Sequence, residues 1–379
     1  MKLLYICDAL AIYGGLERVL IEKANWLVEH GGFEVCLLTV NQGNHPICFP
    51  LHQNVLHEDL DIHFFEQYYL PFWRRLVRNL QLHRMFRERL ANKIQEHAPD
   101  IIICTRIDYI RDVVKMKGNV PLVFESHSSC LSSRFDGDGL LRRFHVWYLQ
   151  QAVKKAEMTV PLTKGDAEEW KKLTPKVSVI PNVVRLNESG SYSDCQAKSV
   201  IYVGRFSQQK DVGSLLRIWN IVYQRHPDWC LHVYGGYGEE KDALLAEIKQ
   251  KNVNIQVYEA TSAILEKYKQ CSILVLTSRY EPFGLVLPEA MSCGLPVVAF
   301  DCPYGPADII SDGKDGFLVV NRNDVVFAEK VCLLIENPEL RISMGMAGIL
   351  SSRRYEASLI MSEWLLLFGK LISKEQIIP

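Results

Sequence analysis

The chain has 379 residues, 48% of them hydrophobic and 23% charged, with a formal net charge of −1. That length suits two domains of about 100–200 residues each, and the near-neutral balance argues against a general nucleic-acid binder. Its 11 cysteines include no C-x-x-C pair, so they form neither a disulfide framework nor a zinc site and suit a reducing cytosol.

No apolar run reaches the ~18 residues of a membrane span. The N-terminus looks like a signal peptide for a dozen residues, but Asp8 interrupts its apolar core. It reads instead as a first strand, Lys2 to Cys7, followed by a loop from Asp8 to Gly15. Leu16, Val19, Leu20, Ala24, Leu27 and Val28 recur at helical spacing, Gly31-Gly32 ends that helix, and Phe33 to Val40 reads as the next strand. Gly14 and Gly15 let the backbone come close to a ligand, although the G-x-G-x-x-G spacing of a dinucleotide fingerprint is missing.

Residues 44–70 read as irregular. Pro71 to Ala98 reads as a long helix, and between Arg74 and Lys93 it carries six Arg and one Lys against Glu88 alone. Such a helix reads equally as one that lies on an anionic membrane and as a solvated face. Leu140 to Lys155 is a second basic, aromatic stretch. Asp100 to Thr105 and Pro121 to Glu125 read as buried strands, the second placing His127 just past its carboxyl end, where a histidine serves structure as often as chemistry. Thr159 to Leu162 and Lys176 to Ile180 read as strands that close the first half. Pro181 to Val184 and Asn187 to Lys198 read as a linker.

The second half begins a new α/β run. Ser199 to Val203 and Cys230 to Tyr234 read as strands, Val212 to His226 and Glu239 to Gln250 as helices. The stretch from Ile273 to Phe300 reads as strand, loop, helix (Pro288 to Cys293) and strand. Both strands are uninterrupted apolar runs of the kind buried in parallel sheets. Two or three helices finish the chain.

The chemistry-bearing residues gather at predicted strand ends. Arg205 and Lys210 follow a strand and lead into a helix, where two cations suit a phosphate. Gly204 closes the same strand, and Gly235 and Gly236 offer open backbone N–H groups. Glu281 and Glu289 cannot bind phosphate, but carboxylates accept hydrogen bonds from sugar hydroxyls. Phosphate donors beside hydroxyl acceptors match the needs of a nucleotide sugar.

GRFSQQKD (204–211), the glycine loop and EPFGLVLPEAMSCGLPVVA (281–299) resemble the donor domain of the retaining family-4 glycosyltransferases. Glu281 and Glu289 match the E-x7-E motif of that family; Gly14 to Glu17 and His127 extend the likeness more loosely to the first half. The resemblance implies an α/β GT-B fold, two Rossmann-like domains facing across a cleft. Residues 1–180 would bind the acceptor, 181–354 the nucleotide-sugar donor, and 355–379 would form a helix that crosses back to the first domain. It further implies that Arg205 and Lys210 neutralise the donor diphosphate, that Glu289 holds the ribose and that Glu281 holds sugar hydroxyls. The backbone amides of Phe283, Gly284, Leu285 and Val286 would surround sugar and phosphate, His127 would face the sugar, and Gly15 would approach the diphosphate. One departure is DCPYGPADII (301–310), which puts Asp308 where a Glu is usual in the family.

The expected activity is therefore retaining sugar transfer from a UDP- or GDP-sugar to a saccharide acceptor, a lipid-linked glycan of cell-envelope polysaccharide or lipopolysaccharide biosynthesis. No metal cofactor is expected: Asp59-Leu-Asp61 precedes rather than ends an apolar run, and Asp136-Gly-Asp138 sits in a turn. The expected placement is cytoplasmic, peripheral on the inner face of the plasma membrane through residues 71–98 and 140–155. Two other readings stay open at this point, a non-catalytic nucleotide-sugar-binding protein and a tandem-Rossmann oxidoreductase.

Overall fold

The structure is a computed structural model that describes residues 1–130, 139–235, 238–251 and 253–375. The chain divides into two compact units. One contains Met1–Leu162, Asp166–Val183 and the chain from Ala357; the other contains Thr163–Gly165 and Val184–Glu356.

Each unit is built on a six-stranded sheet. In the first, β1 (Lys2–Cys7), β2 (Glu34–Thr39), β3 (Leu56–Asp59), β4 (Ile101–Cys104), β5 (Leu122–Ser126) and β6 (Met158–Pro161) lie in the order β3-β2-β1-β4-β5-β6. In the second, β7 (Ser199–Val203), β8 (Cys230–Gly235), β9 (Ile255–Glu259), β10 (Ile273–Leu276), β11 (Val297–Phe300) and β12 (Gly316–Val319) lie in the order β12-β11-β10-β7-β8-β9. Every pairing is parallel. Helices connect the strands, and both units are Rossmann-like.

Strand burial follows the sequence closely. The inner strands β4 (IIIC) and β10 (ILVL) are buried at every position, which is why they read as unbroken apolar runs. Aromatic side chains anchor the two cores. Phe86, Tyr109, Phe124 and Trp170 do so in the first unit, and Tyr202, Phe206, Trp219, Phe300 and Phe327 in the second. The helix Ala357–Glu375 belongs to the first unit, where it packs on the helix Gly15–Gly31 and sets Phe368 against Phe33.

Several expectations change. Residues 44–70 are not irregular throughout, because they hold the edge strand β3 and a 3₁₀ turn at Phe64–Tyr69. Lys176 to Ile180 is not a regular strand; Val177 forms an isolated bridge with Thr159, and Ile180 N donates to Pro161 O at 3.2 Å. The helix after β10 runs Val286–Ser292, so Pro288 is its third residue rather than its first. Asp59 ends β3, a short strand that the sequence pattern does not mark, rather than merely preceding an apolar run.

In each sheet the chain order reverses once. In the second unit the reversal lies between β7 and β10. Open α/β sheets bind ligands at the carboxyl ends of the two strands flanking such a reversal, because their loops diverge there and leave a crevice.

Candidate functional site

Lys210 lies beyond β7 and Glu281 beyond β10, so the two flank the reversal point of the second sheet. The loops that carry them are tied together through the backbone: Arg279 N donates to Gln209 O at 2.8 Å, and Thr277 Oγ1 donates to Lys210 O at 3.1 Å. The Lys210 ammonium pairs with Glu281 Oε1, and Ser278 Oγ donates to that same oxygen at 2.6 Å. Glu281 is buried, so its charge is balanced by an ammonium and a hydroxyl rather than by bulk water.

Two groups that sequence reasoning missed hold this arrangement. Asp211 caps the helix Val212–Arg225 from a left-handed φ of 49° and accepts from Ser214 N at 3.3 Å. Arg322 donates to Asp211 Oδ2 at 2.6 Å, to Ser278 O at 2.6 Å and to Thr277 O at 3.0 Å, with its guanidinium over the Phe300 ring. Burial would raise the Asp211 carboxyl, but Arg279, Ser214 and Arg322 hold it below the usual range. Arg322 lies outside every motif, just past β12, and only the folded sheet brings it to the loops after β7 and β10. Ser278 sits within the motif stretch, but a serine in a loop carries no signal by itself.

The backbone of Glu281 is fixed as firmly as its side chain. Glu281 N donates to Pro303 O at 2.6 Å, and Glu281 O accepts from Tyr304 N and Gly305 N, each at 2.8 Å. The loop after Phe300 therefore acts as a clamp on Glu281, which is a definite place for the segment that departs from the family pattern. Gly305 is required there: a Cβ at that position would lie 1.7 Å from Phe283 O. Asp308 Oδ2 accepts from Lys164 N at 2.5 Å, both within the second unit.

Phe283 is buried edge-on against Tyr355. Gly284 has a positive φ of 95°, and Leu285 immediately precedes the helix that Val286 opens. Glu289 is buried in that helix, with Tyr268 Oη 3.3 Å from Oε2. Arg205 is exposed. Gly204 and Gly235 touch through their backbones, since Gly204 N donates to Tyr234 O and a Cβ on Gly235 would sit 2.0 Å from Gly204 O. That glycine is thus demanded first by the close approach of two loops. Gly236 lies outside the described residues.

In the first unit, Gly14 caps the helix that Gly15 opens. His127 follows β5 and is nearly buried, its Nε2 3.1 Å from Glu125 Oε1. At the carboxyl end of β1, Asp8 Oδ1 accepts from Tyr109 Oη at 2.5 Å and from Asn41 Nδ2 at 2.6 Å. The Asp59 carboxylate accepts from Thr39 Oγ1 (2.9 Å), Gln42 N (3.2 Å) and Gly43 N (2.9 Å), while Asp61 pairs with His63 at 2.7 Å. Ligand atoms of Asp59, Asp61 and His63 lie within 4.8 Å of one another. The carboxylate of Asp59, however, already anchors the turn after β2. Asp136 and Asp138 lie outside the described residues.

The basic helix is Phe72–His97. Its buried stripe, Leu82, Phe86 and Leu90, begins only in the third turn. Before that, Phe72 (70% exposed), Trp73 (75%), Leu76, Val77 and Leu80 face solvent, next to exposed Arg74 and Arg75. The helix Leu140–Val153 likewise exposes Phe144, Trp147 and Tyr148. Among the described residues no helix is long and apolar enough to cross a membrane.

Comparison with known proteins places the two halves of the chain. Residues 191–350 match the profile described as "Glycosyl transferases group 1", and residues 13–188 match "Glycosyltransferase Family 4". An uncharacterized glycosyltransferase of Haemophilus influenzae is 27% identical over 93% of this chain and 95% of its own length. The amylovoran biosynthesis glycosyltransferase AmsD of Erwinia amylovora is 33% identical over 55% of this chain and 61% of its own. The lipopolysaccharide 1,6-galactosyltransferase of Escherichia coli is 29% identical over 60% of this chain and 64% of its own. Among solved structures, a mutant of Staphylococcus aureus TarM in complex with Fondaparinux, alpha-GlcNAc-glycerol and UDP superposes with a TM-score of 0.79. It is 16% identical and covers 97% of this chain and 99% of its own.

Proposed function

This chain belongs to the group 1 glycosyl transferases, and from that premise we propose that it moves a sugar from a UDP- or GDP-linked donor to a saccharide acceptor with retention of configuration. The reading rests above all on Lys210 and Glu281, a cation suited to phosphate and a buried carboxylate suited to sugar hydroxyls, paired at the reversal point of the second sheet. With family membership in hand, the oxidoreductase falls away as a reading of the chain, and nucleotide release separates the transferase from a non-catalytic binder.

The reaction breaks the bond between the sugar's anomeric carbon and the diphosphate, and the positive character on the sugar and the negative charge on the leaving group grow together. Lys210 and Arg205 meet that negative charge. Glu281 orients the sugar through its hydroxyls, Glu289 holds the ribose, the amides from Phe283 to Val286 line the donor, and Gly15 approaches the diphosphate. The acceptor hydroxyl forms the new bond on the face the diphosphate leaves, and its proton passes to the departing phosphate oxygen. Glu281 is a poor nucleophile in this setting, since one oxygen already serves Lys210 and Ser278. We also assign no metal to the reaction, because fixed cations supply the charge and the Asp59 carboxylate is spent on hydrogen bonds.

The acceptor we favour is a lipid-linked glycan of the cell envelope, at an anionic membrane. Exposed aromatic and aliphatic side chains beside arginines, at the start of a helix whose apolar stripe begins two turns later, support that reading. It fits a named relative that acts on lipopolysaccharide.

The deciding experiment measures nucleotide release from UDP-glucose, UDP-galactose, UDP-N-acetylglucosamine and GDP-mannose, with membrane extract as acceptor and with EDTA present. Release that persists in EDTA and falls about 10²–10³-fold in Lys210→Ala is the expected result. Unchanged release in that variant would remove the site assignment. Co-sedimentation with vesicles containing phosphatidylserine, lost in Trp73→Ser/Arg74→Glu, is expected for the membrane reading, and no binding to such vesicles at low salt would end it.

A further inference from the structure

The first sheet has a reversal point of its own, between β1 and β4. Ile6 pairs with Cys104 in register, so two residues further on Asp8 and Arg106 leave the sheet side by side. Crevices at such points take ligands, yet the proposed reaction gives neither residue a part. Asp8 is firmly held. Its carbonyl accepts from Val40 N and Asn41 N, each at 2.9 Å. Its Oδ1 accepts from Tyr109 Oη at 2.5 Å and from Asn41 Nδ2 at 2.6 Å, and Asn41 Nδ2 also donates to the Tyr109 oxygen at 2.9 Å. Tyr109 is buried on the helix Ile107–Met116, and Phe64 N donates to Asn41 Oδ1 at 2.9 Å.

All of this orients one carboxylate oxygen and leaves the other, Asp8 Oδ2, without a partner among the described residues. Arg106 is incompletely matched in the same way. Its Nη2 donates to Asp108 Oδ2 at 2.9 Å, while Nη1 and the buried Nε find no acceptor among the described residues. Buried polar groups are normally paired, so an unfilled guanidinium beside an unfilled carboxylate calls for a reason. Two other carboxylates near the strand ends differ. Asp59 is spent on the turn after β2, and Glu125 is paired with the buried Lys23 at 2.6 Å. Burial would raise the Glu125 carboxyl, but Lys23 and His127 hold it at about 2.

We propose that Asp8 and Arg106 form a subsite in the first unit for two neighbouring hydroxyls of a neutral sugar residue of the acceptor, Asp8 Oδ2 accepting from one and Arg106 Nη1 donating to the other. Tyr109 and Asn41 are the positioning residues that aim Asp8. The charge balance sets the class of ligand. One guanidinium stands between two carboxylates, Asp8 and Asp108, so a phosphate or a uronic acid would meet net negative charge, whereas a diol meets one acceptor and one donor. The inference rests on the transferase reading and deepens it by naming the chemistry of the acceptor.

The test is saturation-transfer difference NMR on the full-length protein with UDP present. The neutral probes are the methyl glycosides of glucose, galactose, mannose and N-acetylglucosamine, and the anionic probes are glucuronic acid and glucose phosphate. Asp8→Asn keeps an oxygen for Tyr109 and Asn41 but puts an amide where the open oxygen stands; Arg106→Met removes the donor at a half-exposed position. Both should melt like wild type and keep the UDP-induced thermal shift. The expected result is that at least one neutral glycoside binds and the anionic probes do not, with affinity falling about tenfold or more in each variant. Glu281→Gln should leave that binding in place. Binding unchanged in both variants, no binding by any neutral glycoside, or preference for an anionic probe each overturns the proposal. So does binding lost in Glu281→Gln but kept in Asp8→Asn, which would assign the signal to the donor pocket. If glycosides bind through Asp8 in a protein that turns over no nucleotide sugar, the transferase reading falls and the subsite stands. Normal nucleotide release with glycoside binding unaltered in the variants removes the subsite alone.

Discussion

Lys210 and Glu281 are each other's counter-ion at the point where the strand order of the second sheet reverses. Glu281 is buried and Lys210 only partly exposed, so removing either leaves a charge with reduced hydration and one partner fewer. Lys210→Met or Glu281→Gln should each destabilise the second unit by about 1–3 kcal/mol. The double variant should lose clearly less than the sum. Chemical denaturation of the four proteins checks this, and additive losses would show that the pair is not energetically coupled. Binding of UDP should be weakened by Lys210→Met and spared by Glu281→Gln, because a nucleoside diphosphate brings phosphate but no donor sugar.

Two buried carboxylates make opposite contributions to stability as pH changes. Asp166 accepts from Cys130 N and Trp170 Nε1, but burial dominates and pushes its carboxyl up to about 6. A folded value above the ordinary aspartate value of about 3.9 means that the folded state binds the proton more tightly. Its contribution is therefore full below about pH 4 and is lost as pH rises through 6, a swing of roughly 3 kcal/mol. Glu125 runs the other way: held at about 2, it stabilises above its ordinary value and loses that contribution as pH falls toward 2. Asp166→Asn should remove the decline in melting temperature between pH 4 and 6 while leaving the acid limb in place. A decline that survives in that variant would assign it to other groups.

The sequence revealed what is buried on both faces and concealed what is not. β4 and β10 are runs of Ile, Leu and Val because helices cover both sides of each, whereas β3 (LHED) sits at a sheet edge, half exposed, and carries no such run. The motif carboxylates could be read by spacing, yet Arg322 could not, because its three acceptors lie over 40 residues away in the chain. Lys23 did leave a trace: it falls on the face marked by Val19, Leu20, Ala24 and Leu27, where a charge is out of place unless it has a partner. Its partner, Glu125, follows the apolar run Leu122–Phe124 as the penultimate residue of β5. Each charge looked incidental by itself; only the fold makes them a pair.

The helix from Ala357 should be required for the first unit to fold. It buries Ile360, Met361, Trp364, Phe368 and Leu371, at about 1.5–3 kcal/mol for each large apolar side chain. A total of that size rivals the roughly 5–15 kcal/mol by which a whole domain is stable. Removing the helix would also strip Trp364 from the Lys23 ammonium. A chain ended after Glu356 should lose its cooperative thermal transition by circular dichroism or fail to accumulate in soluble form. A truncated chain that melts where the full chain does would show the helix to be dispensable.

Adding one methyl group should have opposite effects at two glycines. At Gly305 the new Cβ would sit 1.7 Å from Phe283 O, a backbone atom that cannot swing aside. Because Gly305 N also donates to Glu281 O, the strain is released into the segment that carries the carboxylate. Gly305→Ala should cost about 1–3 kcal/mol, with more if the loop cannot relax, and should reduce donor turnover along with stability. Gly369 lies inside the helix Ala357–Glu375, and nothing stands within 4 Å of where its Cβ would be. There alanine removes only the conformational freedom of glycine in a helix, so Gly369→Ala should stabilise by about 0.5–1 kcal/mol and leave turnover unchanged. Melting curves and nucleotide release measured on both variants give the comparison. If Gly305→Ala kept full activity, the clamp of the 301–310 loop on Glu281 would not be what holds that carboxylate in place.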